Sequence, residues 1–141
     1  MSSKQIKHIL VALDVPGPSR DLLDKAISIA KTSDAKVTGI HVLVVQPTLI
    51  ASVINYRKYL TKKAEQMLDS AKKYCENQDV KFTSKITQGK PADKINEFAK
   101  KGKVDLVITG SRGFGGIKSA ILGSVANSIV HKSKVSVLVV K

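Results

Sequence analysis

Residues 6–14 read Ile6-Lys7-His8-Ile9-Leu10-Val11-Ala12-Leu13-Asp14. After Lys7-His8 the run is continuous and apolar until Asp14. That is the pattern of a strand covered on both faces, which belongs in a parallel sheet rather than a half-solvated antiparallel one. The next segment opens on Pro18-Ser19, a helix start signal, and carries Leu22, Leu23, Ala26, Ile27 and Ala30 at helical spacing. A second apolar, β-branched run covers 37–45. Strand, helix and strand in that order make a βαβ unit.

The same alternation continues to the last residue. Residues 80–87 alternate, with Val80, Phe82, Ser84 and Ile86 on one side and Lys81, Thr83 and Lys85 on the other, so this strand is expected at a sheet edge. Residues 104–109 and 135–140 are short apolar strands. A helix is expected over 55–77, with Tyr56, Leu60, Ala64, Met67, Leu68, Ala71 and Cys75 on its inner face. Pro91 opens another, with Ile95, Phe98 and Ala99 inward. The last spans 123–132, with Val125, Ile129 and Val130 inward. Residues 46–54 read either as a loop or as an extra helical turn. The expectation is an α/β fold: a single three-layer domain over 1–141, with a five-stranded parallel sheet, helices on both faces and flavodoxin- or Rossmann-like winding. In such sheets ligands bind beyond the carboxyl ends of the strands, where the winding reverses. Two strand ends carry chemistry there, at Asp14 and Gly110.

Composition excludes several classes. With 141 residues, 43% of them hydrophobic and 25% charged, the chain is long enough for one core and lacks the signature of disorder. No apolar run is long enough to span a membrane, and the 9–13 run lacks a signal-peptide cleavage pattern, so a cytoplasmic location is expected. The single cysteine, Cys75, excludes an intrachain disulfide and a thiolate metal cluster. The net charge is +13, which favours anionic partners. Beyond Asp105 there is no acidic side chain, while Arg112, Lys118, Lys132, Lys134 and Lys141 remain.

That basic quarter holds a glycine-rich loop. Residues 110–124 contain five of the nine glycines and lead from a strand end into a helix. Glycines let backbone N–H groups approach phosphate oxygens, and a helix start adds unpaired donors and a favourable dipole. Ser124 could cap that helix or bond a phosphate, while Arg112 and Lys118 supply cations. A P-loop ending Lys118-Ser119 would need glycines where Arg112 and Ile117 stand, and a dinucleotide fingerprint beginning at Gly113 would need one at Lys118. Neither fits. The spacing that does occur joins Gly110, Gly113, Gly123 and Ser124.

With that spacing, the chain resembles the nucleotide-binding branch of the universal stress protein family. Ile9 to Asp14 is similar to the family's opening strand, Ile40-His41-Val42 to its second, and Gly89-Lys90-Pro91-Ala92 to the start of its third helix. Asp105 to Gly113 resembles its most recognisable segment, and Val137 to Val140 its terminal strand. The resemblance implies ATP, ADP or AMP as ligand, with Mg²⁺ admitted as a companion. It implies that Asp14 contacts the nucleoside, that Ala12 lies near the base, and that Val42 packs on the adenine. Thr109, Gly110, Arg112, Gly113, Gly123, Ser124 and Val125 would surround ribose and phosphates. Two segments depart from the family pattern: Val15-Pro16-Gly17-Pro18 stands where Asp-Gly-Ser is usual, and no proline precedes the last strand.

Other candidates carry less. His8, His41 and His131 share no metal-ligand spacing and are expected to serve packing, so neither a metal site nor a catalytic group is assigned. Cys75 is expected to be an inert core thiol. Tyr56 and Tyr59 are assigned to the core, and aromatics at 4% are too few to interleave with lysines, so nucleic-acid binding is not expected. Three function classes follow. The leading one is an ATP-binding stress or signalling module that is not a fast enzyme. The second is an ATP-hydrolysing or nucleotide-transferring enzyme of a related fold, which lacks support from any Ser-Gly-Gly-x-Asp-Ser or His-x-Gly-His string. The third is a basic nucleic-acid-binding protein. A homodimer through the apolar terminal strand is expected, because such an edge invites pairing and the resemblance implies the same.

Overall fold

Among the described residues nine elements alternate: β1 (His8–Ala12), α1 (Arg20–Ser33), β2 (Lys36–Leu43), α2 (Ile50–Glu76), β3 (Phe82–Gln88), α3 (Pro91–Lys101), β4 (Leu106–Gly110), α4 (Ser124–Lys132) and β5 (Ser136–Val140). The computed structural model describes residues 5–15, 17–44, 50–111 and 122–141. All five strands pair in parallel, in the order β3-β2-β1-β4-β5. The chain winds outward from β1 through β2 to β3, then returns to the other side of β1 for β4 and β5. The winding therefore reverses between β1 and β4, as it does between the two halves of a Rossmann fold.

Side-chain alternation along the strands builds two cores. Ile9, Val11 and Leu13 of the first strand, with Val37, Phe82, Leu106 and Ile108, pack against Leu23, Ala26 and Ile27 of α1 and Met67, Leu68 and Cys75 of α2. Leu10, Ile40, Val42 and Val107 point the other way, onto Ala92, Ile95 and Ala99 of α3 and Ile129 of α4. One α/β domain of three layers results. Gly39, mid-strand in β2, is required by close approach: a Cβ there would stand 3.1 Å from Leu13 Cδ1 and closer still to the Phe82 ring.

A buried polar chain crosses the amino end of the sheet. Asp105 Oδ2 accepts the N–H groups of Lys7 and His8 at 2.8 and 3.0 Å. His8 Nδ1–H donates to the Gly102 carbonyl at 3.1 Å, which obliges neutral Nε2 to accept from the Thr38 hydroxyl at 2.7 Å. Thr38 in turn accepts from Thr83 at 2.9 Å. Burial holds the His8 pKa below its ordinary value; the Gly102 bond opposes this, and Lys36 adds to the lowering.

Three expectations need correction. The long helix begins at Ile50, not at 55, so the extra helical turn is the right reading for 50–54, while 45–49 lie outside the described residues. Tyr56 and Tyr59 are each 57% exposed rather than in the core. Length explains it. The 27 residues of α2 extend about 40 Å at about 1.5 Å each, whereas the eight of β2 cover about 26 Å. From residue 54 onward the first fully buried position is Ala64, and residues 54–59 are exposed all round. A βα crossover helix runs back antiparallel to its strands, so this free end projects past the carboxyl edge of the sheet. Finally, Val130 is exposed, because α4 meets the sheet along a narrow Ala126–Ile129 stripe.

Candidate functional site

At the winding reversal the carboxyl ends of β1 and β4 leave a cavity of about 330 Å³. That is within the range of small-molecule sites. Ala12, Ile40, Val42, Ile95 and Val125 give it apolar walls, and Asp14, Ser19, Asp21, Thr109, Ser111 and Lys141 supply polar groups.

Each wall traces to local sequence. The continuous apolar β1 stops at Ala12, and Leu13 is then clamped to β2 on both sides. Its N–H donates to the Ile40 carbonyl at 2.9 Å, and its own carbonyl accepts from His41 Nδ1–H at 2.7 Å. This fixes Asp14 at the cavity mouth. Asp14 is exposed by area, yet the surrounding walls withdraw enough water to raise its carboxyl above the ordinary pKa, while the nearby His41 works the other way. The turn beyond Asp14 is tight. A Cβ on Gly17 would stand 3.1 Å from Ser19 N and collide with the Asp14 carbonyl. Ser19 then caps α1, its hydroxyl accepting the Leu22 N–H at 3.5 Å.

The opposite wall begins at β4. Thr109 is 5% exposed, and among the described residues its hydroxyl reaches the Gly110 carbonyl, at 3.5 Å. A bond at that limit is weak, which leaves the hydroxyl able to serve a better-placed acceptor. Gly110 lines the cavity, and a Cβ on it would meet no atom within 4 Å among the described residues. The glycine-rich loop is closed at its base: Ser111 N–H donates to the Val140 carbonyl at 2.9 Å, and Gly123 N–H donates to the Ser111 carbonyl at 2.8 Å. That second bond holds the start of α4 beside the end of β4.

The residue capping α4 is Gly123, not Ser124, which instead occupies the first helical position. Among the described residues no side-chain hydrogen bond caps this end, and no acidic residue lies in its first turn. The leading N–H groups, from Ser124 onward, thus form a positive helix end next to cavity-lining Val125 and Ala126. Such an end is suited to an anion.

Of the residues named from the sequence, Ala12, Asp14, Val42, Thr109, Gly110 and Val125 line one cavity, with Gly123 and Ser124 tied to its rim. Arg112 and Gly113 lie outside the described residues, as do Pro16 and Lys118. Sequence reasoning missed Ile40, Asp21 and Lys141. Ile40 was within reach, since it shares a strand face with Val42. Asp21 and Lys141 carried no local signal, being brought in by the α1 turn and by β5 alongside β4. Of the three histidines expected to serve packing, His8 and His41 do, at 7% exposed each, whereas His131 is exposed at the end of α4. Burial pushes the Cys75 thiol up to about 11, helped by Glu76 and Asp24.

The model of the universal stress protein family matches residues 5–141. The chain belongs to the universal stress protein family. Among curated family members, the chain is similar to universal stress protein MJ0531 of Methanocaldococcus jannaschii, at 34% identity over 139 residues, covering 96% of this chain and 82% of that one. Universal stress protein UspA from Lactobacillus plantarum shares the fold, with a TM-score of 0.88 at 19% identity over 99% of this chain and all (100%) of the other. A universal stress protein solved in complex with cAMP is similar at a TM-score of 0.72 and 25% identity, covering 97% of this chain and 98% of that one. Among the described residues of this family member, no helix is long and apolar enough to cross a membrane.

Proposed function

We propose that this chain is a cytoplasmic, homodimeric adenine-nucleotide-binding module of stress response or signalling, not a fast enzyme. The observation that carries the reading is the cavity at the reversal between β1 and β4, which joins apolar walls to an uncapped helix N-terminus. The family member holding cAMP supports the ligand class.

In this reading the adenine lies against Ala12 and Val42, which offer flat apolar surface without competing polar groups. Asp14 accepts hydrogen bonds from ribose hydroxyls. Thr109, Gly110 and the α4 start, through Gly123, Ser124 and Val125, receive the phosphates by backbone N–H and hydroxyl donors. Arg112 and Gly113 join them on the family resemblance. Donors and cations suit binding, whereas hydrolysis needs a positioned water and usually a carboxylate near the γ-phosphate. Among the described residues no three His, Cys, Asp or Glu side chains gather to hold a metal. A Mg²⁺ would therefore be held through phosphate oxygens and water.

Mass analysis of small molecules released on denaturation, followed by calorimetry with ATP, ADP and AMP, tests the reading. We expect one adenine nucleotide per chain; binding of none of the three removes the proposal. Dimerisation rests on β5, an edge strand whose Val137 to Val140 are only half-buried. A monomeric mass in light scattering at micromolar concentration counts against it.

A further inference from the structure

The free end of α2 is a second surface, separate from the cavity. From Ala35 to Ala64 the chain carries no acidic residue, while residues 57–63 alone hold Arg57, Lys58, Lys62 and Lys63. Tyr56 and Tyr59, both 57% exposed, stack with centroids 6.5 Å apart and ring planes at 17°. Lys63 Nζ lies 5.6 Å from the Tyr59 ring centroid.

Spacing decides what could cover this surface. Tyr56, Tyr59 and Lys63 stand three and four residues apart and so share one helix face, with Lys62 three residues beyond Tyr59. Rings and cations are interleaved rather than segregated. A helix lying in a membrane interface needs its cations opposite its apolar face. Here, burying the ring pair in lipid would bury the Lys63 ammonium beside it, and exposed Ile54 lies on a different side of the helix from the rings. A second copy of the chain would bring the same four cations against its own +13 charge. An acidic peptide would meet the cations but make no use of the two exposed ring faces. Alternating rings and cations match an unpaired nucleic acid strand, whose bases stack and whose phosphates recur along the backbone.

We propose that the amino-terminal half of α2, over residues 56–63, is a docking surface for single-stranded nucleic acid, with Tyr56 and Tyr59 stacking bases and Lys62 and Lys63 contacting phosphates. Of the two grounds for expecting no nucleic-acid role, the core placement of both tyrosines fails, and the low aromatic content of 4% is offset here because two of the six aromatics sit together among four cations. The surface is small, two rings and a few cations, so binding is weak, without sequence preference and dependent on salt.

The test is fluorescence anisotropy of the full chain with a labelled oligothymidylate of about 20 nucleotides, which has no adenine to enter the cavity. We expect log K to fall against log salt with a slope of about −1.4, as for two phosphate contacts on a single strand. Combined Tyr56→Ala and Tyr59→Ala should weaken binding about tenfold or more, with Tyr56→Phe and Tyr59→Phe restoring it. Duplex of the same length should bind less well than the single strand. Both tyrosines are exposed, so the variants should keep the parent's melting temperature. Should they not, Lys62→Gln with Lys63→Gln must lower the salt slope by about 1–2, or the assignment is wrong. Binding unchanged by the alanine variants, duplex bound as well as single strand, or binding to phosphatidylserine vesicles without binding to oligothymidylate would each overturn the proposal.

Discussion

Gly110→Val separates the ligand site from the fold. Gly110 pairs with Val140 in β4 and lines the cavity, and an added Cβ meets nothing within 4 Å among the described residues. Among the described residues the added Cβ therefore escapes the roughly 1–3 kcal/mol cost of overpacking a filled core. Replacing glycine inside a strand also relieves an entropic cost of about 0.5–1 kcal/mol. Stability of the ligand-free protein should stay level or rise by up to about 1 kcal/mol. The same methyl groups occupy space that ligand atoms would fill. Setting the overpacking cost of about 1–3 kcal/mol against the complex instead weakens nucleotide binding by about 5- to 150-fold. Urea denaturation of both proteins without ligand, and calorimetric titration of both with ATP, give the two numbers. A folded variant with undiminished ATP affinity would refute placement of the ligand against Gly110. A variant that loses several kcal/mol of stability would refute the statement that the space is open.

Asp14→Asn should raise the melting temperature of the ligand-free protein at pH 7, because the folded state holds that carboxyl's proton more tightly than the unfolded chain does and so disfavours its charge. It should also weaken nucleotide binding and flatten the loss of affinity that the parent shows as pH falls toward the raised Asp14 pKa; a parent whose affinity is flat there contradicts the ribose role. His8, with its pKa lowered by burial, favours folding while neutral. Its contribution is complete above about pH 6.5 and is lost as pH falls below that value, so His8→Gln should show a shallower decline in stability between about pH 6.5 and 5 than the parent. An equal slope in the two proteins would dismiss the network. Gly39→Ala should destabilise by about 1–3 kcal/mol through its collision with Phe82, read as a drop in urea midpoint at constant slope; no drop would mean that the ring gives way freely.

Much of this protein is written in local sequence. The continuous apolar run ending at Asp14, the Pro18-Ser19 start and the strand–helix alternation determine a parallel sheet between helix layers, because the two periodicities act over a few residues each. The Gly110/Gly113/Gly123/Ser124 spacing likewise placed the loop against a helix start, although the cap itself proved to be Gly123. Tertiary structure decided what depends on where elements end in space. Asp21 and Lys141 reach the cavity only because α1 turns back at Gly17 and β5 lies beside β4. Tyr56 lies on the apolar stripe of α2 in sequence and Tyr59 beside it, yet both stand in solvent, because a helix of about 40 Å outruns a strand of about 26 Å. Periodicity specifies which face of a helix turns inward; only the length of the sheet beneath it specifies how much of that face finds anything to cover.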